Sequence, residues 1–413
     1  VATPDKSISH RAILFASLAE GKSGIKNFLR AADPMSTLDA CKALGVEIDD
    51  RGSDIIVIGK GMHALQEPFD VVDCGNSGTT IRLLAGVLSG NPFFTVLTGD
   101  ASLRKRPMAR VIEPLTRMGA QITARAGNRY PPICIKGGPL RAISYAVPVA
   151  SAQVKSCLIL AGLYADGTTE IVEPEKSRDH TERLLPAFGA VINVHGLRVT
   201  LHGGQKLRGT EVCVPGDFSS AAFFIVAALL CPHADVVVRN VGINPTRTGL
   251  LSVLRDMGAS IEVSNVRELS GEPVADIHCA GGAELKAVSL SGEQIPSLID
   301  EFPILCVAAT QAEGETTIRG AGELRVKESD RISSMAAELR KMGADVIEYE
   351  DGLTVRGRCR LVGTDVESHG DHRIAMAMAV AALVAEGKTT IRGVSSVNIS
   401  FPGFFELFTK LTA

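Results

Sequence analysis

The nine residues Glu323-Leu324-Arg325-Val326-Lys327-Glu328-Ser329-Asp330-Arg331 hold three cations and three carboxylates. The apolar run after them predicts a helix. A helix begun near Lys327 would set Lys327 and Arg331 four apart, on one face of its first turn. Cations at that end oppose the helix dipole, so the arrangement makes sense with an anion bound between them. A solvated charge cluster is the plain alternative.

The same arrangement recurs. Asp5-Lys6-Ser7-Ile8-Ser9-His10-Arg11 follows a proline and precedes an apolar helix. Gly75-Asn76-Ser77-Gly78 is a small-residue loop running into a helix, which lets backbone N–H groups approach an anion. Arg104-Lys105-Arg106 is a cationic triplet. Ser151-Ala152-Gln153-Val154-Lys155, Ser177-Arg178-Asp179-His180 and Asp371-His372-Arg373 each open another helix. Taken singly, Ser151, Ser177 and Asp371 read more readily as N-caps than as ligands, Arg104 to Arg106 as a solvated run, His10, His180 and His372 as structural histidines, and Gly75 and Gly78 as turn glycines. Together they put hydroxyls and cations at the N-ends of at least six helices. Two repeat domains with such ends facing each other would form a cleft that traps a small polyanion.

Two carboxylates stand out. Glu328 adjoins Lys327, and Asp300 is bracketed by apolar residues in Ile295-Pro296-Ser297-Leu298-Ile299-Asp300-Glu301-Phe302, so it is expected to be partly buried and therefore paired or functional. No Gly-x-x-x-x-Gly-Lys-Ser/Thr loop, no strand-flanked Gly-x-Gly-x-x-Gly and no metal-ligand spacing is present. Neither a cofactor nor a metal is expected.

A chain of 413 residues exceeds one ordinary core and suggests two domains that position these residues. Apolar residues at 45% and charged residues at 22% mark a folded protein. Aromatics at 4% and a net charge of -3 argue against a nucleic-acid surface. The nine cysteines lack zinc spacing and read as reduced thiols of a cytoplasmic protein, with Cys157, Cys231 and Cys306 inside apolar runs. No apolar run is long enough to span a bilayer, and no signal peptide is visible. The first residue is Val1, so native residues are expected to precede it. A monomer is expected.

The chain repeats. One unit is an Ala/Leu-rich helix ended by Gly and followed by a β-branched strand, as at Leu163-Tyr164-Ala165-Asp166-Gly167-Thr168-Thr169 and Ala385-Glu386-Gly387-Lys388-Thr389-Thr390. Here Gly is expected to take the left-handed cap. The other unit is an amphipathic helix, then Met/Leu/Phe-Gly, then an alternating strand, as at Met118-Gly119-Ala120-Gln121-Ile122. About six copies of a helix–strand–helix–strand module result, the last losing its strand. The break between third and fourth modules falls at Val214-Pro215-Gly216-Asp217, and Ala2-Thr3-Pro4-Asp5 resembles a second crossing.

In order and spacing, these motifs resemble those of 5-enolpyruvylshikimate-3-phosphate synthases, from residue 2 to Phe401-Pro402. The wording around Ser151-Ala152-Gln153 and Ser177-Arg178-Asp179-His180 is similar to the second bacterial class. The resemblance implies an α/β (α+β) enolpyruvyl transferase fold, an inside-out α/β barrel of two domains with three βαβαββ repeats each. One domain would be residues 5–215, inserted in the other, 1–4 plus 216–413, with the site in the cleft. It implies transfer of the enolpyruvyl group of phosphoenolpyruvate to the 5-hydroxyl of shikimate 3-phosphate, with glyphosate as inhibitor.

By motif, the resemblance assigns Lys6, Asn76, Gly78, Arg106, Gln153, Glu328, Arg331 and Arg373 to phosphoenolpyruvate. It gives Lys6, Ser7, Arg11, Ser151, Ala152, Gln153, Ser177, Arg178, Asp300 and Lys327 to shikimate 3-phosphate. Asp300 would take the proton of the attacking hydroxyl, and Glu328 with Lys6 would handle protons at the methylene carbon. Two departures stand out. Thr3-Pro4-Asp5-Lys6 lacks the family's usual Gly, and a late Lys of first-class members has no counterpart near Ser395. The rivals are a UDP-N-acetylglucosamine enolpyruvyl transferase, whose nucleophilic Cys loop cannot be placed here, and an RNA 3'-phosphate cyclase, against which the few aromatics speak.

Overall fold

The structure is a computed structural model describing residues 2–290 and 292–412. The outermost ends of the expected domains, Val1 and Ala413, therefore lie outside the described residues. The chain forms two compact units, one of Pro4–Pro215 with Leu269–Glu272, the other of Val1–Thr3, Gly216–Glu268 and Pro273–Ala413.

The first unit holds three four-stranded sheets that share one pattern, and a two-stranded one pairing Leu140–Arg141 with Ala165–Asp166. In the first, Glu211–Cys213 runs parallel to Glu20–Lys26, which pairs antiparallel with Ile55–Lys60, which pairs antiparallel with Glu47–Asp50. The sheets ordered around Phe94–Thr98 and Thr168–Val172 repeat it. Their strands alternate: Ile55, Val57 and Gly59 point inward while Ile56 and Ile58 are half-buried. The second unit holds the corresponding sheets of three, four and two strands, so the last module is the truncated one.

Each unit encloses three helices that are buried on nearly every side, and such helices belong in a core. They are Lys6–Leu18, Gly78–Ser89 and Ala152–Tyr164 in the first unit, and Phe218–Leu230, Phe302–Gln311 and His372–Val384 in the second. Amphipathic helices such as Ala109–Met118 and Arg331–Lys341 carry the outer, partly exposed faces. This is the mixed α/β repeat architecture expected from the sequence.

The helix ends differ from expectation. After Lys6–Leu18 the C-cap is Ala19, at φ -79 and ψ 155, and Gly21 takes φ 105 two residues later, already inside the strand. Ala165 and Gly167, Ala312 and Gly314, and Ala385 and Gly387 follow the same pattern. These helices pass directly into extended chain, so the left-handed residue falls in the strand or in the few residues leading into it. Left-handed glycine caps belong instead to the amphipathic helices, as at Gly119. A further set of glycines, Gly59, Gly137, Gly203, Gly281 and Gly357, sits where a strand crosses the C-terminal carbonyls of a buried helix. A methyl at Gly59 would overlap Ala19 O, and one at Gly357 would overlap Ala312 O.

The hairpin Ser260–Leu269 and Glu272–Ala280 turns through Ser270 and Gly271, at φ 51 and 81. Its tip packs in the first unit: Ser270 Oγ accepts from Cys213 N at 3.0 Å, and Glu272 meets His180 Nδ1 at 2.8 Å.

Candidate active site

In the first unit, side chains tie the N-terminal turns of the three buried helices together. Asp5 caps the first helix by accepting from Ile8 N, Ser77 the second from Thr80 N, and Ser151 the third from Val154 N. Arg11 donates from Nε to Thr181 Oγ1 at 2.8 Å and from Nη2 to Ser156 Oγ at 2.9 Å. Gln153 Nε2 donates to Thr79 Oγ1 at 3.0 Å. A buried chain runs from His10 Nδ1 to Thr37 Oγ1 (2.6 Å), Thr80 Oγ1 (2.6 Å) and Ser77 Oγ (2.8 Å). Thr80 donates to Ser77, so Thr37 donates to Thr80 and accepts from an N–H at His10 Nδ1.

On this platform, Lys6 Nζ lies 3.1 Å from Asp33 Oδ2, an aspartate in the first turn of Ala32–Ala43. Arg106 is buried and donates from Nη2 to Asn76 Oδ1 at 2.7 Å, while Asn76 Nδ2 donates to Asp100. Arg106 is extended, after the short turn Leu103–Lys105, and the next helix starts only at Ala109. The cationic triplet is thus not a helix start. Arg104 and Lys105 are exposed, and only Arg106 turns inward. Gly78 opens its helix, with Arg82 and Arg106 beside the place a side chain would occupy.

Ser177 and Arg178 stand in a loop before a helix of one turn, His180–Leu184, and not before a long apolar one. Ser177 Oγ donates to Glu173 Oε1, and Ser177 O accepts from Lys155 Nζ at 3.4 Å. Lys155 is fully buried between Glu173 and Glu182, 2.7 Å from each. Arg11 is also buried, and burial lowers its pKa to about 10, with Arg178 adding to the effect and Glu182, Asp5 and Glu272 opposing it. Ser7 is half-buried, with its carbonyl engaged by Arg11 Nη1 at 3.0 Å.

The second unit gathers its charges around Arg331. Its guanidinium donates from Nε to Asp371 Oδ2 at 2.7 Å, from Nη1 to Asp300 Oδ1 at 3.1 Å and from Nη2 to Glu328 Oε2 at 2.7 Å. Burial opposes the charge, but Asp371, Glu328 and Asp300 together outweigh it and raise the pKa of Arg331. Arg373 reaches Asp300 as well, Nη2 to Oδ2 at 3.2 Å and Nη1 to the carbonyl at 3.1 Å. Asp300 is thus partly buried and paired, as its neighbours predicted.

Lys327 corrects the opening expectation. Gly322–Val326 is a 3-10 turn, Lys327 is extended, and the helix starts at Arg331, with Asp330 as N-cap accepting from Ser333 N. Lys327 and Arg331 therefore share no helical face. The Asp330 side chain satisfies the orphan N–H groups and fixes the helix start beyond Lys327. Lys327 is half-buried, and burial lowers its pKa despite Asp300 nearby. Cys157 and Cys306 are buried, whereas Cys231 is half-buried; all nine cysteines are free. Among the described residues no group of three or more His, Cys, Asp or Glu is placed to hold a metal ion. No helix among them is long and apolar enough to cross a membrane.

Sequence reasoning missed Asp33, Arg82 and Glu173 as members of these clusters, placed Lys155 at a helix start without its buried partners Glu173 and Glu182, and read Asp371 only as a cap. A charged residue within or next to an otherwise buried apolar helix was the signal available for Arg82, Lys155 and Asp371.

Repeated βαβαββ modules with charged clusters on buried helix ends define the enolpyruvyl transferase class. The enolpyruvyl transferase NikO from Streptomyces tendae has this fold, with a TM-score of 0.78 at 18% identity over 99% of this chain and 93% of that one. EPSP synthase from Acinetobacter baumannii is more similar, with a TM-score of 0.89 and 48% identity over 100% of this chain and 94% of that one. The 3-phosphoshikimate 1-carboxyvinyltransferase of Thermodesulfovibrio yellowstonii is 56% identical over 410 residues, 99% of this chain and 95% of its own. Residues 1–408 match the family EPSP synthase (3-phosphoshikimate 1-carboxyvinyltransferase), and the chain belongs to that family.

Proposed function

We propose that this chain transfers the enolpyruvyl group of phosphoenolpyruvate to the 5-hydroxyl of shikimate 3-phosphate and releases phosphate, in the pathway to chorismate and the aromatic amino acids. The observation that carries the residue assignments is the sharing of Arg331 by Asp300 and Glu328. Phosphoenolpyruvate is an anion suited to the same guanidinium edges, and to Arg373, through bidentate bonds. Its binding there displaces the two carboxylates and frees them for proton transfer. Asp300 then takes the proton of the 5-hydroxyl as its oxygen attacks C2 of phosphoenolpyruvate. Glu328, with Lys6, delivers a proton to C3. In the second half the C3 proton is withdrawn, the C2–O bond to phosphate breaks, and the enol ether forms.

The first unit supplies the remaining grip. Lys6, Asn76, Gly78, Arg106 and Gln153 receive phosphoenolpyruvate, with Asn76 holding Arg106 in place. Ser7, Arg11, Ser151, Ala152, Gln153, Ser177, Arg178 and Lys327 receive shikimate 3-phosphate. Arg11 and Ser177 are already bonded within the chain, which suits groups that shape the phosphate pocket. Catalysis then consists of orientation, charge stabilisation and proton transfer.

Residues 5–215 and residues 1–4 plus 216–413 are both needed for one pair of substrates. No cofactor takes part. The protein works as a cytoplasmic monomer inhibited by glyphosate; the free cysteines support a reducing compartment. Phosphate release is the test. It is expected only when phosphoenolpyruvate and shikimate 3-phosphate are both supplied, and no release from the folded protein with both present would refute the reading.

A further inference from the structure

The guanidinium of Arg82 occupies the space beside Gly78. Arg82 stands one turn after Gly78 on the same helix and is 8% exposed. Its Nη1 donates to Gln153 Oε1 at 2.5 Å and its Nη2 to Pro107 O at 3.1 Å. A methyl on Gly78 would sit 2.8 Å from Arg82 Nη1 and 3.2 Å from Arg106 Nη1. An arginine head is flexible and normally yields to such a contact. Here it is gripped from two sides, so yielding means giving up Gln153 or Pro107.

Gln153 depends on that grip. A primary amide has one acceptor oxygen and two N–H donors. With Oε1 committed to Arg82, the NH₂ end is fixed on the opposite side. Thr79 takes one N–H, at 3.0 Å. The second N–H is left for an anion. Without Arg82 the amide is free to rotate and present its oxygen, which repels an anion.

We propose that Arg82 is the positioning residue that sets specificity at this end of the site. It orients the Gln153 amide toward phosphoenolpyruvate, and a side chain at position 78 acts by dislodging Arg82 and not by filling the anion's own space. This rests on the reading that Gly78 and Gln153 receive phosphoenolpyruvate.

Gly78→Ala, Arg82→Ala and the double variant decide the matter. A crystal structure of unliganded Gly78→Ala is expected to show the Arg82 head off Gln153. An unmoved Arg82 overturns the proposal, wherever phosphoenolpyruvate binds. In kinetics, each single variant is expected to raise the KM for phosphoenolpyruvate about tenfold, with the KM for shikimate 3-phosphate within about twofold. The double variant is expected to be no worse than the poorer single one, because both act through one group. Losses that multiply overturn the proposal and leave the site reading standing. A displaced Arg82 with an unchanged KM for phosphoenolpyruvate refutes the site reading, and the specificity role with it. Arg82→Lys keeps one donor within reach of Gln153. It is expected to recover part of the affinity lost in Arg82→Ala, and it replaces that variant in the cycle if Arg82→Ala does not fold; no recovery counts against the proposal.

Discussion

Asp371 Oδ2 and Arg331 Nε meet at 2.7 Å, with neither side chain more than 1% exposed. The other oxygen of Asp371 accepts from the backbone N–H of Arg373 at 2.9 Å. One carboxylate thus anchors one arginine through its side chain and starts the helix that carries the other. Asp371→Ala is expected to destabilise the protein by about 3 kcal/mol, the lower end for breaking a buried pair, because Asp300 and Glu328 still face Arg331. Urea unfolding measures this, and a loss below about 1 kcal/mol would show that the two remaining carboxylates carry the charge alone.

Asp300→Ala and Glu328→Ala should separate stability from turnover. Both carboxylates are partly exposed, and Arg331 keeps Asp371 in either variant. Turnover is expected to fall by about 10²-fold or more, as for acid–base groups, while thermal unfolding changes little. Near-native turnover in both would remove them from the proton-transfer roles.

Lys155 neutralises two buried carboxylates and holds the carbonyl of Ser177. Lys155→Met leaves Glu173 and Glu182 without that charge, at an expected cost of about 3–5 kcal/mol. The Ser177-Arg178 loop should loosen with it, so the KM for shikimate 3-phosphate is expected to rise more than that for phosphoenolpyruvate. Steady-state titration of each substrate checks the split, and equal rises would mean general damage.

Burial, then the charges of Lys6 and Arg11, push His10 well below its ordinary 6.5. Well above pH 6.5 His10 is neutral in folded and unfolded chains alike and contributes no pH dependence. Below it, the unfolded chain binds a proton that the folded chain does not. Stability therefore falls with falling pH, by up to about 1.4 kcal/mol per pH unit from this group until its folded pKa is reached. His10→Gln keeps a donor for Thr37 and removes the titration. Its urea midpoint is expected to shift less than the parent's between about pH 7.5 and about pH 5.5; parallel shifts would assign the acid sensitivity elsewhere.

Features that depend on neighbours in sequence were legible before any coordinates. Ser151 and Asp371 cap helices as their sequence neighbours imply, because capping is decided within three residues, whereas Ser177, open to the same reading, stands in the loop before His180–Leu184 and does not cap it. The modules were legible because two apolar periodicities alternate along the chain. Lys327 was misplaced within the same local logic, since Asp330 competes for the same helix start and caps it three residues further on. Asp33 and Arg82 were illegible for a different reason: their partners, Lys6 and Gln153, lie 27 and 71 residues away, and only the packing of helix ends brings them together. Gly59 and its counterparts were missed because their requirement is set by a helix carbonyl from another stretch of chain and not by their own φ.

The hairpin tip Leu269–Glu272 means that the Pro4–Pro215 unit is not one stretch of polypeptide. A fragment ending at Pro215 would lack the acceptor for Cys213 N and the carboxylate that meets His180 in the intact chain. Cutting the chain at the junction of Pro215 and Gly216 therefore removes part of the folded body along with the linker. Fragment complementation from that cut should depend on the second piece delivering its loop into the first. A synthetic peptide covering the hairpin would supply the same missing surface in trans.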